Sequence, residues 1–339
     1  MQQLSPPKPF KSHKDLVELL ASRGMQISDG ERAERKLAQV GYYRLSGFWF
    51  PCKAFRRDAL GKVILSPITH KPERSDVFMP DTQFDSVFEL YLFDKKLRQL
   101  MLDAIERIEI HVRTVIAHEV GYHHPLAYQD TAFINPSQTR CFTDTRTGMQ
   151  RNIWSEWLAR QDEQVRRSRE DCIEWHRKCQ KAMPFWVVVE AWDFGTISKY
   201  FEMLKRGHQN RVCNRIGINN PAVLKEWLQN INTLRNRCAH HTRIWNQYSN
   251  NPLPVLPNAY FQNLNLDVNA LTRLYGLVAV IWFLVKAIGP NSNWINEVAN
   301  VIDLKPELVG CPFSAMGIPT MDGFPRLLFG IDGGTRGAS

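Results

Sequence analysis

The chain has 339 residues, enough for one large domain or two ordinary ones. Hydrophobic residues make up 44% of it, which supports a folded core and excludes an intrinsically disordered chain. The net charge of +9 favours a polyanionic partner, either nucleic acid or an anionic membrane surface, although a basic protein without such a partner also fits. The seven cysteines form no dense framework, and the first residues lack the apolar stretch of a signal peptide. We therefore expect reduced thiols and a cytoplasmic location.

Two helices are predicted near the start of the chain. Apolar residues at helical spacing indicate the first over 15–21. Residues 28–31 (Ser-Asp-Gly-Glu) have the pattern of a capping box, in which a hydroxyl and a Glu side chain satisfy free N–H groups at a helix start. The second helix is therefore expected over 31–40, with Gly41 as its stop.

An aromatic-rich segment and an irregular one follow. Residues 42–50 contain five aromatic side chains, which form either a packed corner or a surface that stacks nucleobases. Core packing is the commoner use of such residues. Residues 51–80 predict an irregular insertion with a short strand at 62–65.

Longer helices are predicted beyond residue 80. The segment 81–120 has no Gly or Pro and keeps helical apolar spacing, so it should form the longest helix. A charged helix is predicted over 151–183, and a helix with Pro in its first turn over 221–234. The segment 267–288 contains the most apolar run, which is shorter than the roughly 20 residues that a membrane span needs, so we expect a buried helix.

Together these elements predict an all-α fold, a helical bundle with long helices and an irregular N-terminal insertion. We expect three parts in chain order. They are an N-terminal helical segment with the insertion (1–80), a helical domain (81–310), and a loosely held tail rich in Gly and Pro (311–339).

The most informative segment is Arg-Asn-Arg-Cys-Ala-His-His at 235–241. Histidine exchanges protons near neutral pH, and arginine binds phosphate with a permanently charged fork. These two side chains suffice for metal-free RNA cleavage. The ribose 2′-OH attacks the adjacent phosphorus, histidine moves a proton, and arginine neutralises the charge that develops on phosphate oxygens.

Helix geometry qualifies this chemistry. At about 100° per residue, Asn236, His240 and Arg243 share one stripe, and Arg235 lies about 100° to the side of Asn236. A long side chain, a bend near the helix end or a second copy of the site would have to bring Arg235 in. His241 shares a face with Arg237 and is the second choice of histidine.

The bare spacing of Arg and His has little specificity, because it recurs in the helix predicted over 81–120. Arg107 and His111 have it, and so do Arg113 and His118. Arg113 and His118 are candidates for a second motif in the same chain. Ion pairing to Glu109 or Glu119 is the simpler interpretation of their position.

Several segments in order give this motif its context. They are RGMQI (23–27), GYYRLSG (41–47), LYLFDKKLR (90–98), IERIEI (105–110), PFWVVVE (184–190), FGTIS (194–198) and LRNRCAHHTRIWN (234–246). Together they resemble the Abi (abortive infection, AbiD/AbiF-like) family of bacterial phage-resistance proteins, over about residues 15–290.

The resemblance implies a fold, an activity and an assembly. The family is placed in the HEPN superfamily of helical RNases and RNA-binding proteins, which implies a bundle of HEPN type. The implied active site is Arg235, Asn236 and His240, acting as a metal-independent RNA endonuclease and growth-arresting toxin during phage infection. Because one strong motif is present and the family pairs two, the resemblance implies a homodimer. The alternative is a non-catalytic module that binds RNA or protein.

Further residues are expected to contact RNA, which is the expected substrate. They are Tyr43, Arg44, Arg237, His241 and Arg243, with the basic run Arg166, Arg167 and Arg169, although a charge-rich helix is more often a solvated face. A regulatory small RNA and an antitoxin protein are further candidate partners, and no membrane partner is expected.

No metal or cofactor is expected. The spacing of Cys172, His176 and Cys179 leaves a zinc enzyme as the third hypothesis, although no fourth ligand is obvious nearby.

Overall fold

The computed structural model describes residues 7–331. In this part of the chain, fourteen α-helices and two small two-stranded sheets are connected by short 3₁₀ helices and loops. The prediction of a mainly α-helical fold is confirmed.

The helices are α1 (His13–Ser22), α2 (Gly30–Val40), α3 (Tyr42–Trp49), α4 (Phe84–Gly121), α5 (Ile153–Arg167), α6 (Asp171–Lys178), α7 (Phe185–Val188), α8 (Phe194–Met203), α9 (Arg206–Ile216), α10 (Pro221–Ala239), α11 (Ala259–Leu264), α12 (Val268–Leu271), α13 (Leu274–Ile288) and α14 (Trp294–Asp303). The strands are β1 (Lys53–Phe55), β2 (Arg74–Phe78), β3 (Phe142–Thr143) and β4 (Gln150–Arg151). Strand β1 pairs antiparallel with β2, and β3 pairs antiparallel with β4.

The contacts divide the chain into two compact units. Among the described residues, one unit contains 7–98 together with Val298–Pro325, and the other contains Gln99–Glu297 and 326–331. The boundaries expected at residues 80 and 310 stay predictions. Among the residues after 310, the side chains of Met316, Ile318, Phe324 and Phe329 are buried.

The core of the first unit combines its two segments of chain. Trp49 is buried and packs edge-on against Phe78 of β2, with ring centroids 6.5 Å apart. The buried Cys52 lies 3.9 Å, sulfur to sulfur, from Cys311. Gly310 has a φ of 77°, and a Cβ there would come within 2.2 Å of the Pro51 carbonyl oxygen. This close approach requires glycine.

The core of the second unit contains two aromatic clusters. In one, Trp192 packs against Trp157 and Phe185, with centroid distances of 5.1 and 5.3 Å. In the other, Phe261 packs against Trp227 of α10, with centroids 5.6 Å apart. Helix α8 packs against both α5 and α10, and each of these helices supplies buried side chains to the core of the second unit.

Several predicted element boundaries need correction. The helix expected over 151–183 is interrupted, because Ser168 is extended and its hydroxyl accepts a hydrogen bond from the Glu170 N–H. The helix expected over 267–288 is interrupted at Arg273, whose extended backbone separates α12 from α13. In contrast, α10 continues past the predicted end at Leu234 to Ala239.

The N-terminal predictions also need correction in detail. Asp29, and not Ser28, caps α2, because the Ser28 hydroxyl donates to Asp85 while Asp29 accepts the Arg32 N–H. The aromatic-rich segment forms α3, with Phe48 and Trp49 buried and Tyr43 74% exposed. The expected strand at 62–65 reduces to isolated bridges. Among residues 7–331, no helix combines the length and the apolar character needed to cross a membrane.

Candidate functional site at the end of α10

Local sequence signals determine where α10 begins and ends. The Asn220 side chain caps its start and accepts the N–H groups of Ala222 and Val223, and Pro221 occupies the first turn. At the other end, the Thr242 N–H donates to the Arg237 carbonyl at 2.8 Å. His241 has a φ of 57°, the left-handed conformation that usually belongs to glycine at this position. The candidate motif therefore lies in the last turn of α10 and its cap.

Two of the three predicted catalytic residues are open to solvent. Asn236 and His240 are both exposed, and His240 is the C-terminal cap of α10. Its backbone N–H donates to the Asn236 carbonyl at 2.9 Å. Both side chains are thus placed where a large substrate could reach them.

The third predicted catalytic residue, Arg235, is partly buried and acts on a carboxylate of α4. That carboxylate is Glu109, whose side chain is 14% exposed. Burial raises the pKa of Glu109 above its ordinary value, while the positive charges of Arg113 and Arg235 oppose the rise. On α10, Arg235 and His240 are about 140° apart around the helix axis. Helix geometry therefore directs Arg235 and His240 to different sides of α10.

Arg113, the arginine of the candidate second motif, is engaged in the protein interior. Its guanidinium lies 3.2 Å from Glu109 and 3.3 Å from Glu190, and it donates to the Trp192 carbonyl at 3.0 Å. His118 is 67% exposed, and its Nδ1 lies 3.7 Å from Glu119. The ion-pairing interpretation is confirmed for Arg113, while that of His118 stays a prediction.

The residues expected to contact RNA lie in different parts of the fold. Tyr43 and Arg44 are exposed on α3 of the first unit. Arg237, His241 and Arg243 lie at the end of α10 in the second unit, where His241 is exposed and the two arginines are partly buried. Only these last three accompany the candidate motif.

A small cavity of about 100 Å³ lies beside the last turns of α10. Arg237 lines it, together with Gln247 and the half-exposed Tyr248. The guanidinium of Arg273, which also lines the cavity, is 5.7 Å from the centre of the Tyr248 ring. The lining therefore combines two arginines with apolar side chains such as Leu234 and Leu253.

The basic run on α5 and the following loop carries its own counter-charges. Arg166 and Arg167 both form ion pairs with Glu163, and Arg169 lies 3.5 Å from Glu174. Because Arg166 and Arg167 share one carboxylate, these pairs offset only part of the charge of the three exposed arginines, and RNA contact by this run stays a prediction.

The zinc hypothesis gains no support from the geometry. The Nδ1 of His176 is 2.8 Å from the Cys172 carbonyl oxygen, a hydrogen-bond contact within α6. Among residues 7–331, no three His, Cys, Asp or Glu side chains are grouped so that they could hold a metal ion.

The comparison with protein families connects this geometry to known proteins. The family model described as Abi-like protein matches residues 35–246, which is well over half of the chain. The chain belongs to the Abi-like family. No curated protein and no solved structure matches it. The region matched to the Abi-like family contains all of α10, its cap and Asn246.

Sequence reasoning did not identify the carboxylates around this Abi-like site. The sequence indicates Glu109 only as a partner of Arg113, and its closeness to Arg235 depends on how α4 packs near α10. The sequence analysis did not single out Asp193. Its carboxylate lies 2.7 Å from Arg160, and both Asp193 and Asn232 of α10 are close to Gly195. The available sequence signal was the spacing of Glu109 and Arg113, which are one helical turn apart. This spacing predicts an ion pair between them but does not predict Arg235 as a third partner.

Proposed function

We propose that this Abi-like protein is a metal-independent endoribonuclease of HEPN type that acts in the cytoplasm during abortive infection. The observation that carries the proposal is the exposed pair Asn236 and His240 at the end of α10, which follows Arg235 of the same motif in the sequence. A histidine and an arginine at an open helix end provide the groups that RNA cleavage without a metal requires.

The proposed reaction is an attack of the ribose 2′-OH on the adjacent phosphorus. His240 accepts the 2′-OH proton as the bond from O2′ to phosphorus forms and gives a proton to the 5′-oxygen as its bond to phosphorus breaks, and Asn236 orients the phosphate through its amide. Arg235 neutralises the negative charge that develops on the phosphate oxygens. The products are a 2′,3′-cyclic phosphate and a 5′-hydroxyl end.

The direction of Arg235 favours a site shared between two copies of the chain. Arg235 is near Glu109, while His240 is on another side of α10. A second copy related by a twofold axis near the α10 ends would supply the missing partner to each motif. We therefore propose a homodimer.

A non-catalytic RNA-binding or protein-binding module is the second candidate. The closeness of Arg235 to the largely buried Glu109 favours it, because an arginine that stabilises a carboxylate has a structural role of its own. On this proposal, His240 would bind a partner and no bond would be cut.

The test is cleavage of total RNA by purified protein in EDTA. We expect wild type to cut and His240→Ala to lose activity by roughly 10²- to 10⁴-fold, the usual contribution of a general acid or base. His13→Ala is the matched control and should keep wild-type activity, because His13 is an exposed histidine outside both motifs. Cleavage ends should carry the cyclic phosphate or a 3′-phosphate. Equal cleavage by wild type and His240→Ala would refute the proposal, and RNA binding without cleavage would favour the second candidate.

A further inference from the structure

Helix α9 has an outward face rich in basic residues, of which Arg215 forms an ion pair with Glu119 of α4 at 3.3 Å. Residues 205–216 contain four basic residues and no Asp or Glu. The apolar side chains of α9 (Val212, Cys213 and Ile216) are buried. The side chains left at the surface are basic, amide or glycine, and they include Arg206, Asn210, Arg211, Asn214 and Arg215.

The cations at the start of α9 are not neutralised within the described chain. Among residues 7–331, Lys205 and Arg206 have no ion-pair partner. The nearby Glu202 is already bound by Lys199 at 3.0 Å and by Lys225 at 3.5 Å. Two cations at a helix N-terminus are also opposed by the helix dipole, so the fold itself gives no reason for them.

Exposed rings adjoin a third cation of α9, Arg211. The Nη1 of Arg211 contacts the Nε2 of His123, and the His123 ring is 5.4 Å from the His208 ring. Tyr122, which is 83% exposed, packs edge-on against His123 with centroids 5.4 Å apart. Cations beside exposed rings are typical of proteins that bind single-stranded nucleic acid, where the backbone follows the charges and bases stack on the rings.

We propose that Tyr122, His123, Lys205, Arg206 and Arg211 form a binding surface for single-stranded RNA, here called the α9 surface. The proposal rests on the proposed function for the identity of the polyanion. It differs from the expectation for Arg166, Arg167 and Arg169, which form ion pairs with Glu163 and Glu174. The proposal thus assigns phosphate contacts to α9.

The composition of the surface favours RNA over an anionic membrane. A helix that lies in a membrane interface exposes an apolar face with Trp, Phe or Leu. The apolar residues of α9 are instead buried in the core, and its outward face carries only polar side chains and glycine.

The experiment measures binding of a fluorescent 2′-O-methyl oligonucleotide, which lacks the 2′-OH nucleophile and stays intact. Affinity is recorded over a series of salt concentrations for wild type and for the triple variant Lys205→Gln, Arg206→Gln, Arg211→Gln. We expect the slope of log affinity against log salt to flatten by about 0.7 for each phosphate that the variant no longer binds. The matched control is Lys8→Gln, Lys11→Gln, Lys14→Gln, which removes the same charge from exposed residues at the start of the described chain and should keep the wild-type slope.

Tyr122 tests the stacking part of the proposal. Tyr122→Ala should weaken binding roughly fivefold or more, whereas Tyr122→Phe keeps the ring and should bind like wild type. A wild-type slope in the α9 triple variant, an equal flattening in the control triple, or no binding by wild type would overturn the proposal. A membrane-binding result would also overturn it. In that result, flotation with phosphatidylglycerol vesicles depends on the three α9 cations, and RNA binding does not depend on them.

Cleavage of unmodified RNA by the same preparations separates this proposal from the proposed function. Binding that depends on the α9 surface without any cleavage would remove the catalytic proposal and leave the RNA surface standing. Cleavage that depends on His240, together with an unchanged salt slope in the α9 triple variant, would remove the α9 surface and leave the catalytic proposal standing.

Discussion

A single carboxylate, Asp193, joins the start of α8 to α5. Its side chain accepts the Thr196 N–H at 2.8 Å and lies 2.7 Å from the Arg160 guanidinium. Burial acts to raise the pKa of Asp193, but the hydrogen bonds from Arg160 and the Thr196 N–H outweigh it, so the pKa is below its ordinary value of 3.8. The folded protein therefore favours the charged form of Asp193.

This shift predicts a stability contribution that depends on pH. A lowered carboxyl pKa stabilises the fold above the unfolded-state value, and the contribution is lost as the pH falls through the folded-state value. Asp193→Ala should reduce the free energy of unfolding by about 1 kcal/mol near neutral pH and by less in acid. The measurement is urea unfolding at both pH values. Asn220→Ala removes a helix cap that does not titrate, so its cost should stay constant, and a constant cost for Asp193→Ala would contradict the prediction.

His241 is a second residue whose backbone predicts a measurable effect. Its φ of 57° is costly for a residue with a Cβ, by about 1 kcal/mol or more. His241→Gly and His241→Ala remove the same side-chain interactions, so their difference isolates the backbone. We expect the Gly variant to unfold at a higher urea concentration than the Ala variant. The free energy of unfolding should differ by about 1 kcal/mol. Equal stability would show that the cap of α10 is not strained.

At the scale of elements, α12 and α13 approach each other at a glycine. A Cβ on Gly276 of α13 would lie 2.5 Å from the Ala270 carbonyl oxygen and 3.0 Å from the Leu271 Cα. Both neighbours are backbone atoms, which cannot move away as a flexible side chain can. The glycine therefore permits the turn that divides the predicted helix 267–288 in two.

Gly276→Ala should consequently destabilise the fold by about 1–3 kcal/mol, the usual cost of overpacking. The control is Gly207→Ala in α9, where a Cβ would meet nothing within 4 Å. There the better helix propensity of alanine should leave stability unchanged or raise it by up to about 1 kcal/mol. Thermal unfolding of both variants provides the measurement, and a neutral Gly276→Ala would argue against the close approach.

The same elements show what the sequence could predict. Uninterrupted helical spacing without Gly or Pro was sufficient to predict α4. Pro221 was sufficient to predict where α10 begins. The interruptions after Arg167 and at Arg273 were missed because apolar spacing continues across them, and local hydrogen bonds such as that of Ser168 end the helices. For the site, the sequence predicted that Asn236 and His240 share a stripe. It could not predict the partner of Arg235, because Glu109 arrives through the packing of a distant helix.

At the scale of the whole molecule, the separated directions of Arg235 and His240 predict a homodimer. Light scattering should give twice the mass of one chain at micromolar concentration. Arg235→Ala and His240→Ala should each be inactive alone, yet a mixture should regain activity, because a mixed dimer contains one intact Arg235 and one intact His240 at a shared site. A monomeric mass with or without RNA would contradict the prediction. A dimer whose variants fail to complement would instead place each site within one chain.

The discontinuous first unit has a consequence for synthesis on the ribosome. Its earlier segment ends at Arg98, and the segment that completes it begins at Val298. At translation rates of 5–20 residues per second, the roughly 200 intervening residues take on the order of 10–40 s to emerge. During this time Pro51, Cys52 and Met79 lack the neighbours that Gly310 and Cys311 supply. The first unit therefore remains incomplete until residues 298–325 have emerged, and a stop codon before Val298 is expected to leave it unfinished.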